Sequence, residues 1–252
     1  MAKARPSSTT AARADAEPAL DPVAIGEGEG WDDKAGPSKQ VASTEAADGI
    51  VYETPAESPP HKPVQWLLKR LFDVGFAATC LLLGLPFLLF IAVAVKLDSD
   101  GPVLYRQIRV GRNGKLFEIL KFRSMHTDAE RHGPRWARSQ DTRVTRVGGL
   151  LRRTSLDELP QIWNVLTGEM SLIGPRPERP VFVSRFRRQI NGYDLRHSVR
   201  PGLSGWAQVN GLRGNVSIET RTDYDVHYVR HFSLWLDVVC FFRTFSAVLA
   251  GE

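Results

Sequence analysis

Between Val74 and Val95 the chain runs for 22 residues, VGFAATCLLLGLPFLLFIAVAV, without a charged side chain. About 20 apolar residues match the roughly 30 Å hydrocarbon core of a bilayer. A run this uniform folds as a membrane helix or as a core helix that is apolar on every side. In a domain of about 190 residues the membrane reading is preferred. Gly84-Leu85-Pro86 falls at its middle, where proline removes a backbone donor and clashes with the preceding turn. Each half would be about 16 Å long, too short to cross alone. The segment is therefore a kinked span or a Pro-broken, re-entrant helix that enters and leaves by one face. Lys62, Lys69 and Arg70 precede it, and Lys96, Arg106, Arg109 and Arg112 follow it. Positive charge on both flanks favours re-entry with both ends cytosolic. No second stretch of spanning length follows.

The net charge of +5 hides two unlike parts. Residues 1–61 hold 5 Lys/Arg against 11 Asp/Glu, net −6, and residues 62–252 hold 28 against 17, net +11. The first part is rich in Ala, Pro, Ser, Glu and Gly and lacks periodicity, so it cannot bury enough surface to offset its chain entropy. It is expected to be a disordered acidic tail (1–61), followed by a membrane-anchoring helix (62–97) and a cytosolic domain with interfacial helices (98–252). The opening MAKARPSSTT leads into no apolar h-region, so no secretory signal is expected. Cys80 and Cys240 are too few for a disulfide framework or a four-cysteine metal site, which fits a reducing compartment. The basic remainder suits nucleic acid, an anionic membrane or a phosphorylated substrate.

Past the apolar run, PVLYRQIRVG and LFEILKFRSM are punctuated by Gly and Asn-Gly and predict short strands. A helix is predicted near Met125–Arg131. Leu156, Leu159, Ile162, Trp163, Leu166 and Met170 predict another over 156–170. Residues 181–190 set Phe182, Phe186 and Ile190 beside Arg185, Arg187 and Arg188, an amphipathic basic helix suited to a membrane surface. Residues 235–249 repeat the theme with Trp235, Val238, Phe242 and Phe245, and an ordinary core helix is the alternative for both stretches.

The chemistry concentrates in LRRTSLDELPQIWNVL, where Asp157 and Glu158 are adjacent, Arg152 lies upstream and Pro160 downstream. With Asp157 as the helix N-cap, Pro160 falls at the third helical position and is tolerated; with Ser155 as the cap it lies one residue too deep. The first is preferred, and it predicts a lowered pKa for Asp157 at the positive helix end. An ionised carboxylate among phosphate-attracting groups can attack phosphorus. Arg176 is clamped by Pro175 and Pro177, which lowers the entropy lost when its fork engages a phosphate. Lys121 and Arg123 add two cations. Such an array suits a nucleotide diphosphate sugar, whose charges repel a carboxylate nucleophile, and Mg2+ would serve the same end.

The segments KRLFD (69–73), GPVLYRQIRVGRNGKLFEILKFRSM (101–125), SLDELPQIWNVLTGEMSLIGPRP (155–177), RPGLSGWAQVNGLRG (200–214) and FSLWLDV (232–238), in that order, resemble the bacterial sugar transferase family. Its members are monotopic polyprenyl-phosphate phosphoglycosyl transferases that initiate surface-polysaccharide assembly. The resemblance implies that Asp157 is a nucleophile capturing sugar-1-phosphate from a UDP-sugar with release of UMP. It implies that Glu158 assists as a Mg2+ ligand or base, and that Arg152 and Arg176 bind phosphate. Lys121 and Arg123 are expected beside them. It also implies an α/β, mainly helical monotopic fold with interface-parallel helices and a small cytosolic catalytic domain without a Rossmann-type sheet.

The tail leaves no room for the extra membrane helices of longer relatives, so the short form is expected. The resemblance also implies a Ser before the helix-breaking Pro86, where Leu85 stands; either Gly84 or Thr79 compensates, or the bend differs. The ending GWAQVNGLRG, Asp223, Asp225, FSLWLDV resembles the hexose-transferring branch and points to UDP-glucose or UDP-galactose. Undecaprenyl phosphate, the bacterial inner membrane with a cytoplasmic catalytic face, and a second copy of the chain are the other expected partners. A nucleic-acid binder would interleave stacking aromatics with Lys/Arg; here aromatics cluster with aliphatics, and no nucleic acid is expected.

Overall fold

The computed structural model describes residues 59–131, 141–214 and 216–250, with side chains through residue 247. The predicted acidic tail lies outside the described residues except for its last three positions.

Helix α1, Pro63–Asp98, takes up the apolar run and extends it at both ends to 36 residues, about 54 Å. Pro63 opens it, where a missing N–H is harmless. It is the one helix among the described residues that is long and apolar enough to cross a membrane. Only 11% of its most apolar window is buried, which is not how a core helix sits. The chain stays helical through Gly84 and Pro86, so the proline does not end the helix. The Thr79 hydroxyl donates to the Gly75 carbonyl at 2.8 Å, so it does not satisfy a backbone group freed by the proline.

The buried residues of α1 fall at its two ends, Lys69, Asp73 and Ala77 near the start and Ile91 and Val95 near the finish. Between them Leu82, Leu83 and Phe90 are more than two-thirds exposed. Both ends are tied into the remainder of the chain. Lys69 pairs with Asp237 at 2.7 Å, while the Asp98 carboxylate accepts from the Val147 N–H at 2.9 Å.

The predicted strands form an antiparallel hairpin, β1 (Leu104–Val110) and β2 (Leu116–Phe122), in which Tyr105 faces Lys121. Asn113 takes a left-handed turn conformation, which Asn adopts more readily than most residues. The helix expected near Met125–Arg131 is not formed. Met125 bridges Val144, and the residues after it make single-turn bonds, Ala129 to His126 and Arg131 to Asp128. So short a segment cannot recover the entropy of nucleating a helix.

Helix α2 (Arg146–Arg153) is capped by Thr145, whose hydroxyl accepts from Gly148 at 3.0 Å. A Cβ at Gly148 would stand 2.1 Å from the Ser124 carbonyl oxygen, so only glycine lets the helix lie against that strand end. After a 3-10 turn, Leu156–Glu158, helix α3 (Gln161–Thr167) ends on Gly168 in a left-handed conformation. Arg70 reaches from α1 to the α3 carbonyls of Val165 and Leu166. Strand β3 (Ser171–Ile173) pairs in parallel with β4 (Gly202–Ser204). Helices α4 (Pro180–Gln189), α5 (Trp206–Val209), α6 (Ile218–Arg230) and α7 (Leu234–Ala250) complete a mainly helical α/β arrangement. Two small two-stranded sheets are its β-structure among the described residues, with no Rossmann-type sheet.

The two amphipathic segments part company. The apolar side of α4 is covered by the protein itself, with Val183 and Phe186 buried against Val110 and Tyr193. The expectation of an interfacial helix there is corrected: amphipathicity marks which face is apolar, not what covers it. On α7, Trp235, Val238, Phe242 and Phe245 point outward while Cys240 is buried. Lys69, one of the cations flanking the apolar run, is likewise buried, its ammonium shared between Asp237 and the Ile173 carbonyl.

Candidate active site

Four of the predicted site residues converge. Lys121 comes from β2, Asp157 and Glu158 from the 3-10 turn, and Arg176 from the loop after β3. The Lys121 ammonium donates to Glu158 Oε1 at 2.7 Å, and the Arg176 guanidinium grips the same carboxylate with both arms, at 2.5 and 3.3 Å. Glu158 keeps 18% of its side chain exposed and Arg176 keeps 36%, so the cluster borders solvent.

Local geometry differs from the cap expected. Ser155 sits in the left-handed region, φ 56°, at a cost of about 1 kcal/mol for a non-glycine residue. That reversal turns the chain out of α2 and into the tight turn, so neither Asp157 nor Ser155 caps a regular helix. Pro160 itself occupies the position before α3.

The electrostatics of the two carboxylates diverge. Burial raises the pKa of Asp157, and the Glu158 charge adds to it, against the lowering pull of Lys121, Arg152 and Arg176. The predicted lowering is therefore corrected: desolvation outweighs the neighbouring cations. Burial also works to raise Glu158, but Arg176 and Lys121 are bonded to it and hold it far below the usual carboxylate range. Burial lowers Lys121, with Glu158 opposing. Arg152, on the last turn of α2, is close enough to act on Asp157, and its guanidinium makes no hydrogen bond among the described residues.

Arg123 does not join them. It is 5% exposed and donates to the Pro102 carbonyl and, at 2.6 and 2.9 Å, to the Ser99 carbonyl and hydroxyl, tying β2 to the end of α1. Gly84 and Pro86 lie in the exposed middle of α1, away from the cluster.

Sequence reasoning missed the charges behind the cluster. Arg196 and Asp225 form a pair at 2.6 Å with side chains 1% and 2% exposed, and Glu178 accepts from Arg221 at 3.2 Å. No local signal in the sequence marks these pairs, whose members stand 29 and 43 residues apart.

No group of three or more His, Cys, Asp or Glu that could hold a metal occurs among the described residues. Mg2+ rarely needs one, since it commonly binds through one or two carboxylates together with substrate phosphates. Glu158 is partly exposed, but Lys121 and Arg176 occupy its oxygens, so a shared Mg2+ would take the place of one of those contacts.

A long apolar helix joined to a small α/β domain with a carboxylate pair among cations defines a class, and residues 64–251 match the family model described as bacterial sugar transferase. The chain belongs to that family. It is 47% identical over 191 residues to the UDP-N-acetylgalactosamine-undecaprenyl-phosphate N-acetylgalactosaminephosphotransferase of Aeromonas hydrophila, covering 75% of this chain and 45% of that one. It is 47% identical over 198 residues to the UDP-glucose:undecaprenyl-phosphate glucose-1-phosphate transferase of Escherichia coli strain K12, covering 77% and 42%. It is 42% identical over 186 residues to the exopolysaccharide production protein PSS of Rhizobium leguminosarum bv. phaseoli, covering 71% and 93%. The chain thus spans less than half the length of the first two and nearly all of the third.

Proposed function

We propose that the chain transfers hexose-1-phosphate from UDP-glucose or UDP-galactose to undecaprenyl phosphate, releasing UMP, as a first step of exopolysaccharide assembly at the cytoplasmic face of the inner membrane. One observation carries this reading: a buried carboxylate, Asp157, stands beside a second, Glu158, that organises Lys121 and Arg176.

A carboxylate with a raised pKa is a stronger base, hence a stronger nucleophile toward phosphorus. An Asp157 oxygen attacks the sugar-bearing phosphorus, forming a P–O bond while the bond from that phosphorus to the bridging oxygen breaks, and UMP leaves with that oxygen. A phosphate oxygen of the polyprenyl acceptor then attacks the same phosphorus, and the Asp157–phosphorus bond breaks to regenerate the carboxylate. Lys121 and Arg176, fixed in advance by Glu158, face the charge that develops on the phosphoryl oxygens without having to reorganise. Arg152 is available to the incoming diphosphate. Mg2+, held by Glu158 with the diphosphate, would neutralise charge on the leaving group.

The same domain grips both ends of α1, at Lys69 and at Asp98. A straight crossing would place those ends on opposite sides of a bilayer, so this favours re-entry, with the exposed middle of the helix immersed. The outward stripe of α7 would lie at the membrane surface.

The two named relatives at equal identity act on different sugars, so similarity alone does not select the donor. Purified protein incubated with undecaprenyl phosphate, magnesium and labelled UDP-glucose, UDP-galactose or UDP-N-acetylgalactosamine tests both reaction and donor. Transfer from none of the three would overturn the reading. A cysteine placed near residue 50 should label only from the cytosol; periplasmic labelling would sink re-entry.

A further inference from the structure

The segment from Ile173 to Glu178 carries Arg176, and five of its six carbonyls are held from outside the segment. Lys69 and Tyr228 donate to Ile173 O at 2.9 and 3.3 Å, and Gly202 N–H donates to Pro175 O at 2.9 Å. Arg196 donates to Arg176 O at 2.8 Å, Arg109 to Pro177 O at 3.0 Å, and Val110 N–H to Glu178 O at 3.0 Å. Backbone amides would suffice to hold a loop, yet three of these donors are cationic side chains, two of them at least nine-tenths buried. Burying a charge is costly unless it is paired and bonded, so a cation directed at a neutral carbonyl needs a reason.

Arg196 is the extreme case. It is 2% exposed, and every nitrogen of its fork is engaged: Nε and Nη2 with Asp225 at 3.1 and 2.6 Å, Nη1 with the Tyr193 hydroxyl at 2.7 Å, and Nη2 again with the Arg176 carbonyl. A planar fork fixed at all its arms has one orientation. It therefore fixes the peptide plane of Arg176 between two prolines whose own φ is locked. The Arg176 side chain then leaves the backbone in a set direction toward Glu158, which it bonds with both arms.

We propose that Arg196 is a positioning residue for the reaction: locked by Asp225 and Tyr193, it fixes the Arg176 main chain and so the approach of the Arg176 guanidinium to the diphosphate. This rests on the assignment of Arg176 to phosphate binding made above. A displacement of about 1 Å in a positioning group is enough to lower turnover by about 100-fold.

The test is a double-mutant cycle on UMP release from the UDP-sugar, with the full chain in nanodiscs. Arg196→Lys keeps the charge but loses the fork, and should lower kcat/KM for the donor by about 10–100-fold while leaving KM for undecaprenyl phosphate unchanged. In an Arg176→Ala background the same substitution should change kcat/KM by less than about 2-fold, because the group it positions is gone. Tyr193→Phe removes one bond to the fork and should show the same pattern at roughly 3-fold, which keeps the test usable should Arg196→Lys fold poorly. Equal losses in both backgrounds would overturn the positioning role while leaving Arg176 itself assigned. A silent Arg176→Ala would overturn the phosphate assignment and the positioning role with it.

Discussion

Two lysine–carboxylate pairs in this protein have the same 2.7 Å separation and opposite character. Lys69–Asp237 is closed: its side chains are 7% and 13% exposed, Lys69 also bonds the Ile173 carbonyl, and the Tyr228 hydroxyl completes Asp237 at 2.6 Å. Burial raises the pKa of Asp237 against the pull of Lys69. Lys121–Glu158 is open: both side chains are 18% exposed, Arg176 joins, and a second carboxylate sits next door. The lesson is that distance does not define the role of a buried pair. A pair whose remaining bonds are taken by the backbone braces the fold, whereas one bordered by a group under electrostatic strain, here Asp157, is available for chemistry.

The comparison breaks most visibly at Asp157. Asp157→Asn should lower UMP release by on the order of 10⁴-fold and, by removing a buried charge, raise the thermal midpoint. Full turnover in this variant would remove the nucleophile from the site. Arg176→Ala should cost about 10²–10³-fold in kcat/KM for the donor, the usual penalty for deleting one preorganised donor. Lys69→Met should act on the closed pair instead, destabilising the fold by about 3–5 kcal/mol because Asp237 is left buried without a counter-charge. The double variant Lys69→Met/Asp237→Leu should recover most of that in denaturant titrations; no recovery would show that the pair's value lies elsewhere.

The smallest effect concerns pH. A raised carboxylate pKa means the folded state holds its proton longer, so Asp157 detracts from stability as pH rises through the interval between its unfolded and folded pKa. Activity should therefore fall as pH drops through that raised pKa, while stability does not fall over the same interval on this residue's account. Glu158 has the opposite sign: its contribution is full above the ordinary glutamate pKa and fades only in strong acid. A pH–rate profile set beside thermal melts should show activity lost before the fold. Simultaneous loss would argue that the two carboxylates do not titrate apart.

Much of this was legible in the sequence. The apolar run and the hairpin strands follow from periodicity and turn residues, which act locally, whereas the helix predicted over 156–170 is split into a 3-10 turn and a shorter helix that stops at Gly168. Lys121, Glu158 and Arg176 were legible as one charge array, although 37 residues separate the first two. The rest depended on tertiary burial. Arg123 reads like Lys121 in the chain, and two residues on it would share the same side of a regular strand; but β2 ends at Phe122, and only the fold shows Ser99 and Pro102 waiting for Arg123. The raised pKa of Asp157 comes from desolvation by segments far away in sequence. No local pattern marks Arg196 and Asp225 as partners across 29 residues.

Asp98, at the end of the apolar helix, binds the first turn of α2, and α2 is eight residues long, about 12 Å, before the chain reverses at Ser155 into the Asp157 turn. The apolar helix and the proposed nucleophile are thus joined by a short helical strut rather than a tether. In the proposed reaction one substrate is fixed in the bilayer at a height set by its lipid, and the strut sets the height of the attacking carboxylate. Bilayer thickness becomes a variable of the chemistry: a membrane that seats the helix higher or lower lifts or sinks the reactive oxygen with it.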